Sequence, residues 1–188
     1  MIEKRKQAMM AALKDPDQQV REAAASALEQ TESLQGLDSL LAALESEDRG
    51  TRVRAIYALE KVNATRVFPK LLDQLKAADA DVRAATVNIL GLKGHPKTLG
   101  PLVKMLKDPE AAVRAHAAEA LGHFNDRRLV SYLAATLGDG DPEVVKSAAR
   151  TLATLGAKEA EGALIKLMQS SRPDLRREAV LALGKLEI

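Results

Sequence analysis

The stretch Lys107–Phe124 reads Lys-Asp-Pro-Glu-Ala-Ala-Val-Arg-Ala-His-Ala-Ala-Glu-Ala-Leu-Gly-His-Phe. Leu106 ends one apolar helical pattern, Asp108 and Pro109 turn the chain, and Val113 to Phe124 carries a second pattern. In the second pattern Val113, Ala117, Ala118, Ala120, Leu121 and Phe124 follow a 3.6-residue period, which predicts a helix with one apolar face. The unit returns every 31 residues without insertion or deletion. Leu13, Leu44, Leu75, Leu106, Leu137 and Met168 form one column, and Leu28, Leu59, Leu90, Leu121, Leu152 and Leu183 another. A fixed period between about 20 and 50 residues marks a stacked solenoid. The predicted fold is therefore all-α: an α-solenoid of six helix-turn-helix repeats and about twelve helices. The repeats run 1–32, 33–63, 64–94, 95–125, 126–156 and 157–188, all within one domain.

Local signals agree with the period. The first helix of each copy shows apolar residues at helical spacing, as in Leu37, Leu40, Leu41 and Leu44. Asp17, Asp48, Asp79, Glu110 and Asp141 sit where an acidic side chain can cap the second helix. Pro142 and Pro173 fall at its first position, where no N–H is needed. Asn63, Gly94, Asn125 and Gly156 lie just past its end, where a left-handed residue closes a helix. Gly91, Gly122 and Gly184 share a column inside the second helix, and close packing is the expected reason for a residue that weakens helices. Arg21, Arg52, Arg83, Arg114 and Arg176 form a column broken only by Val145. Four of these arginines stand four residues after a capping acid, which predicts a capping and inter-repeat network.

The run Leu-x-Asp-Pro-x-x-x-Val-Arg-x-x-Ala-Ala-x-Ala-Leu-Gly from Leu106 to Gly122 resembles the HEAT repeat. It is closest to the short form found in phycobilin-lyase-like HEAT proteins and in artificial HEAT libraries. The resemblance covers essentially the whole chain. It implies a right-handed superhelix whose second helices line the concave face. It also implies a choice between a protein-binding scaffold and a tetrapyrrole-binding or enzyme-accessory role.

Composition narrows the choice. The 188 residues carry a net charge of +2, no Cys, no Trp, two Phe and two Tyr. Thiol chemistry is excluded, and no strong nucleic-acid footprint exists. No run of residues is long and apolar enough to span a membrane, and a cytoplasmic location is expected. A bilin site or a HEAT-like DNA glycosylase would be expected to offer more aromatic residues. A deoxyhypusine hydroxylase-like iron site would need His-Glu pairs, and no His here precedes Glu. His116, Glu119 and His123 share one helix face, but seven residues of helix rise about 10.5 Å, too far for both histidines to hold one ion. No catalytic residue, cofactor or metal is expected.

What varies between copies is the outer face of the second helices. One column reads Ser26, Tyr57, Asn88, Glu119, Arg150, Leu181; a second reads Ala23, Arg54, Ala85, His116, Ser147, Glu178; a third reads Gln30, Lys61, Leu92, His123, Thr154, Lys185. Arg54, Tyr57, Lys61, Asn88, Leu92, His116, Glu119, His123, Arg150 and Leu181 are the candidate contacts for a partner protein or peptide. Arg150 is the expected ion-pair partner of Glu119. Repeat 1 is expected to cap the array, because Lys6 stands where later copies have Leu37, Phe68, Leu99 and Val130. Repeat 6 departs most, with Glu161, Arg172 and Leu181 and a weakly polar end at Leu186-Glu187-Ile188, so self-association through it is a further expectation.

Overall fold

The computed structural model describes residues 2–186, with side chains from residue 4 onward; Met1, Glu187 and Ile188 lie outside the described residues. Within the described residues the chain forms eleven α-helices and no strand. They are α1 (Ile2–Ala12), α2 (Gln18–Ala43), α3 (Arg49–Ala58), α4 (Val67–Gln74), α5 (Ala80–Lys93), α6 (Leu99–Met105), α7 (Ala111–Leu121), α8 (Leu129–Thr136), α9 (Pro142–Thr154), α10 (Glu161–Leu167) and α11 (Pro173–Leu183). Short 3₁₀ turns at Pro96–Thr98 and Lys158–Ala160 lead into α6 and α10.

Eleven helices replace the expected twelve because the predicted break near residue 32 does not occur. Asn63, Gly94, Asn125 and Gly156 occupy that column in later copies, but here it holds Glu32, a good helix former. α2 therefore runs unbroken for 26 residues. The Thr31 hydroxyl donates to the Ala27 carbonyl at 2.7 Å within the helix. Lys6 of α1 reaches Glu32 at 3.0 Å.

The capping residues behave largely as their chemistry requires. Asp17, Asp79 and Asp141 accept from two backbone N–H groups each, and Asp48 accepts from Thr51. Glu110 accepts no such bond, and the Glu110 N–H instead donates to Asp108 Oδ1 at 2.9 Å. Pro142 and Pro173 open α9 and α11. Left-handed closure is found at Gly94 (φ 56°) and Gly156 (φ 57°) alone among the described residues, so Asn63 and Asn125 end their helices without it. Glycine adopts that conformation without a Cβ clash, whereas asparagine pays a steric cost.

The second helices stack on one another. α5 packs on α7, α7 on α9, α3 on α5 and α9 on α11, while α4, α6, α8 and α10 each pack on the second helix that follows. One continuous core runs from Leu37 to Ala160 and includes the fully buried Leu59, Leu90, Leu121 and Leu152. A smaller cluster of Ala149, Ala153, Leu164 and Ala182 continues it. The closest approaches lie between α5 and α7 and between α7 and α9. A Cβ on Gly91 would lie 2.5 Å from the Ala120 Cβ, and the Thr151 hydroxyl donates to the Ala118 carbonyl at 3.0 Å.

The first copy does not take part in this stack, which overturns its expected role as a cap. Ala25 is exposed, although Ile56, Val87, Ala118 and Ala149 of the same column are buried. Ala58 is exposed on α3, although Ile89, Ala120, Thr151 and Ala182 of its column are buried. Both sides of the interface between the first and second copies are thus open. α2 runs through residue 32 without the break at which later copies turn between their helices.

The arginine column is paired differently from the i, i+4 expectation. Arg83 Nε and Nη2 donate to the two carboxylate oxygens of Asp108 at 2.8 Å, and its Nη1 donates to the carbonyls of Ala77 and Ala78 at 2.9 Å. Arg114 repeats the pattern with Asp139 and with the carbonyls of Asp108 and Pro109. Each arginine clamps the turn before its own helix and forks the acid 25 residues onward in the next copy. That acid column reads Asp15, Ser46, Ala77, Asp108, Asp139, Ser170, so only Arg83 and Arg114 find a carboxylate there. Val145 stands in the copy whose next partner would be Ser170, so no acid is left unpaired by its presence.

Arg52 faces Ala77 in this register, and its Nε is buried without a partner. Ala77→Asp is expected to supply the missing carboxylate and to raise stability by about 1–2 kcal/mol, in the range of hydrogen bonds to charged groups. A rise in the urea midpoint at unchanged slope would show it; a fall would mean that the column does not set the pairing.

Burial by itself raises the Asp108 carboxyl, but the bonds from Arg83 and from the Glu110 amide outweigh it and hold the group below its ordinary value. Asp139 is held low first by the Arg114 guanidinium. With folded values depressed, the unfolded chain binds more protons in the interval between the two values. The stabilisation is complete above the ordinary carboxylate value of about 3.9 and is lost as pH falls through the folded values. Unfolding free energy measured from about pH 5 to about pH 2 is expected to decline less steeply in Asp108→Asn/Asp139→Asn than in the parent chain.

Candidate partner-binding surface

The variable columns run over the outer faces of α3, α5, α7, α9 and α11, which pack in sequence, and over the turns that follow them, where Lys61 comes after α3 and His123 after α7. Tyr57 on α3 is 47% exposed, Leu92 on α5 46% and Leu181 on α11 49%. Arg54, Lys61, His116, Glu119, His123 and Arg150 are exposed as well, and Asn88 is half-buried. The middle column is not a continuous outer row, because Ala85 and Ser147 are buried. Small side chains there let adjacent second helices close over them.

Polar pairing across the surface follows a step of 28 residues rather than 31. The Ser147 hydroxyl donates to Glu119 at 2.9 Å, and Arg150 forks Glu178 at 3.1 and 3.2 Å. The step is one helical turn short of the period, because a residue of one second helix meets the preceding turn of the next. This corrects the expected Glu119–Arg150 pair. Glu119 instead lies between Ser147 and His116, whose Nδ1 is 3.7 Å away. Arg54 donates to the Thr51 hydroxyl at 3.0 Å and lies 3.7 Å from the Asp48 carboxylate.

The three histidines are not brought together. His116 lies beside Glu119, His123 borders an open cleft with Pro96, Leu99, Phe124 and Arg128, and the His95 ring packs against Phe68 at 4.3 Å. Among the described residues no group of three His, Asp or Glu side chains is arranged to hold a metal ion. No described helix is long and apolar enough to cross a membrane.

One exposed aromatic escaped the sequence reading. Tyr132, 51% exposed on α8, borders an open groove with Val103, Lys104, Leu106 and Ala135 on the first-helix side. Its column otherwise reads Ala8, Ser39, Lys70, Pro101 and Ala163, and a lone aromatic among small and polar residues was the available signal.

A search of curated proteins returns no match. Among solved structures, the chain is similar to the CpcE–CpcF complex of phycocyanin lyase from Nostoc sp. PCC7120, with 21% identity and a TM-score of 0.68 over 80% of this chain; it spans 64% of that chain. It is similar to YibA of Escherichia coli, with 17% identity and a TM-score of 0.69, covering 97% of this chain and 72% of that one. A designed armadillo repeat protein in complex with the peptide (KR)4 shares 21% identity at a TM-score of 0.59, covering 96% and 98% of the two chains. At these identities the likeness is one of fold. The profile of the HEAT-repeat family matches residues 7–77, 68–151 and 131–187, most of the chain: the chain belongs to the HEAT-repeat family.

Proposed function

We propose that the chain is a non-catalytic scaffold that binds a partner protein or peptide on the surface of its second helices. The observation that carries this reading is the contrast between columns. The framework leucines and alanines are mostly buried and nearly constant, while the neighbouring outer positions vary from copy to copy and include the exposed Tyr57, Leu92 and Leu181 among separated charges. Aromatic and arginine side chains are the usual anchors of protein interfaces. Arg54, Tyr57 and Lys61 form one end of the row, Asn88, Leu92, His116, Glu119 and His123 its centre, and Arg150 and Leu181 the other end. The peptide complex of the designed armadillo protein supports peptide binding as a use of this fold.

The test is selection of binders from a peptide display library on the immobilised chain, followed by calorimetry with the selected peptide. Tyr57→Ala and Arg150→Ala are each expected to weaken binding by about tenfold or more, the range of interface anchors. Tyr132→Ala, on the first-helix side, is expected to leave it unchanged. The opposite pattern would move the site to the first helices. The resemblance to phycocyanin lyase suggests one competing ligand, a bilin, and a bilin titration followed by absorbance is expected to show no saturable shift.

A further inference from the structure

We propose that the chain forms a reciprocal dimer in which the α1–α2 hairpin of each copy stacks on α3 of the other. The first and second copies carry columns that are buried where later copies stack, yet the structure leaves them open. On one side, Ala25 is exposed in a column that is buried at Ile56, Val87, Ala118 and Ala149. On the other side, Ala58 is exposed in a column that is buried at Ile89, Ala120, Thr151 and Ala182. Between α7 and α9 the second face receives the first, with the Thr151 hydroxyl on the Ala118 carbonyl. Val20 is exposed too, where Val82, Val113 and Val144 of its column are fully buried.

The occupant is a second copy because α2 bars the chain from covering α3 with its own hairpin. Residues 18–43 form one continuous helix of 26 residues, about 1.5 Å long per residue. Folding back would require a break near residue 32, where the sequence offers neither the Gly nor the Asn of the later copies. A second chain, turned about a two-fold axis, can offer the same hairpin without any break, and its own α3 is covered in return. Exchange of an identical element between protomers is a low-cost route to a dimer.

Charge agrees with this seating. Lys146 reaches Asp174 across the α9–α11 interface at 3.7 Å. The equivalent positions in the open interface are Glu22 on the hairpin and Gly50 on α3, with Arg54 one turn on from Gly50. Arg150 and Glu178 likewise correspond to Ser26 and Arg54. The hairpin thus offers Glu22 to a face that offers Arg54.

The chain has no cysteine, so single thiols report the contact cleanly. Ala25→Cys and Ala58→Cys chains are prepared separately, mixed, oxidised gently and resolved without reductant. A covalent heterodimer is expected in the mixture and is expected to be lost when either chain is oxidised alone. Light scattering of the parent chain is expected to give twice 20.2 kDa. Glu32→Gly/Leu34→Pro places the Gly-x-Pro spacing of Gly94–Pro96 at the junction and is expected to convert the dimer to a monomer. An intrachain disulfide in Ala25→Cys/Ala58→Cys would overturn the proposal in favour of a folded-back hairpin. Cross-linking of Ala58→Cys to Val180→Cys chains in place of Ala25→Cys chains would overturn it in favour of head-to-tail stacking through the exposed α11. Absence of any cross-link, with a monomeric mass, would overturn it outright.

Discussion

Asp108→Ala is expected to lower the unfolding free energy by about 3–5 kcal/mol, the range for breaking a buried ion pair from one side. The side chains of Asp108 and Arg83 are only 4% and 10% exposed. Removing the carboxylate leaves a guanidinium that cannot shed its charge and cannot reach water. Its Nη1 keeps the carbonyls of Ala77 and Ala78, but Nε and Nη2 lose both acceptors. The surface pairs behave differently. Arg66–Asp38 and Lys70–Glu45 are exposed on both sides, and their removal is expected to change stability by less than about 1 kcal/mol.

The same pair predicts a change in cooperativity. Solenoid stability is a sum of repeat terms and nearest-neighbour interface terms. The Arg83–Asp108 fork joins α5 to the turn before α7, and so crosses one such interface. Urea unfolding of Asp108→Ala is therefore expected to show a lower midpoint and a shallower slope, as the two sides of the weakened interface begin to unfold separately. Arg83→Met/Asp108→Leu removes both charges and is expected to recover most of the loss. If that double variant is as unstable as Asp108→Ala, the damage comes from lost shape and not from a stranded charge.

The period was legible because every 31-residue step must present the same apolar face to the same neighbour. The Leu28 to Leu183 column and the capping aspartates could be placed on helices without coordinates. The pairing of the arginines could not. Asp79 stands four residues before Arg83, and helix geometry alone favours that pair, but Asp79 is occupied by the Asp81 and Val82 amides. The guanidinium therefore reaches Asp108, whose place depends on how far the next copy is rotated. The placement of the next copy likewise gives Arg150 to Glu178, 28 residues on, and not to Glu119. The unbroken α2 was written in Glu32, a helix-forming residue in a column of helix breakers, and reading the column as a whole hid the exception. The candidate binding row is legible as a pattern of exposure and variation, and its chemistry depends on the partner, which no residue of this chain encodes by itself.

Gly91→Leu is expected to destabilise the protein by at least about 3 kcal/mol, at the upper end of overpacking effects. Two opposing effects act at Gly91. Helix propensity favours any replacement, since glycine in a helix interior costs about 1 kcal/mol relative to alanine. Space opposes it. A Cβ at Gly91 would meet the Ala120 Cβ at 2.5 Å and the Ala120 Cα at 2.8 Å, and a backbone atom cannot swing aside as a flexible side chain can. α5 and α7 would have to part along the most extensive contact in the stack. Even Gly91→Ala is therefore expected to be destabilising, by about 1–2 kcal/mol net of the propensity gain. Ala120→Gly in the Gly91→Ala background removes the nearest contact at 2.5 Å and is expected to restore part of the loss, a coupling that a double-mutant cycle measures directly. Gly184 supplies the contrast within the same column. A Cβ there would meet only carbonyls of its own helix, at 3.5 and 3.9 Å, so Gly184→Ala is expected to be neutral or to stabilise by up to about 1 kcal/mol. Opposite signs at Gly91 and Gly184 in thermal or urea unfolding would show that helix stacking, and not turn geometry, selects glycine in this column; equal signs would leave the close approach of α5 and α7 without energetic consequence.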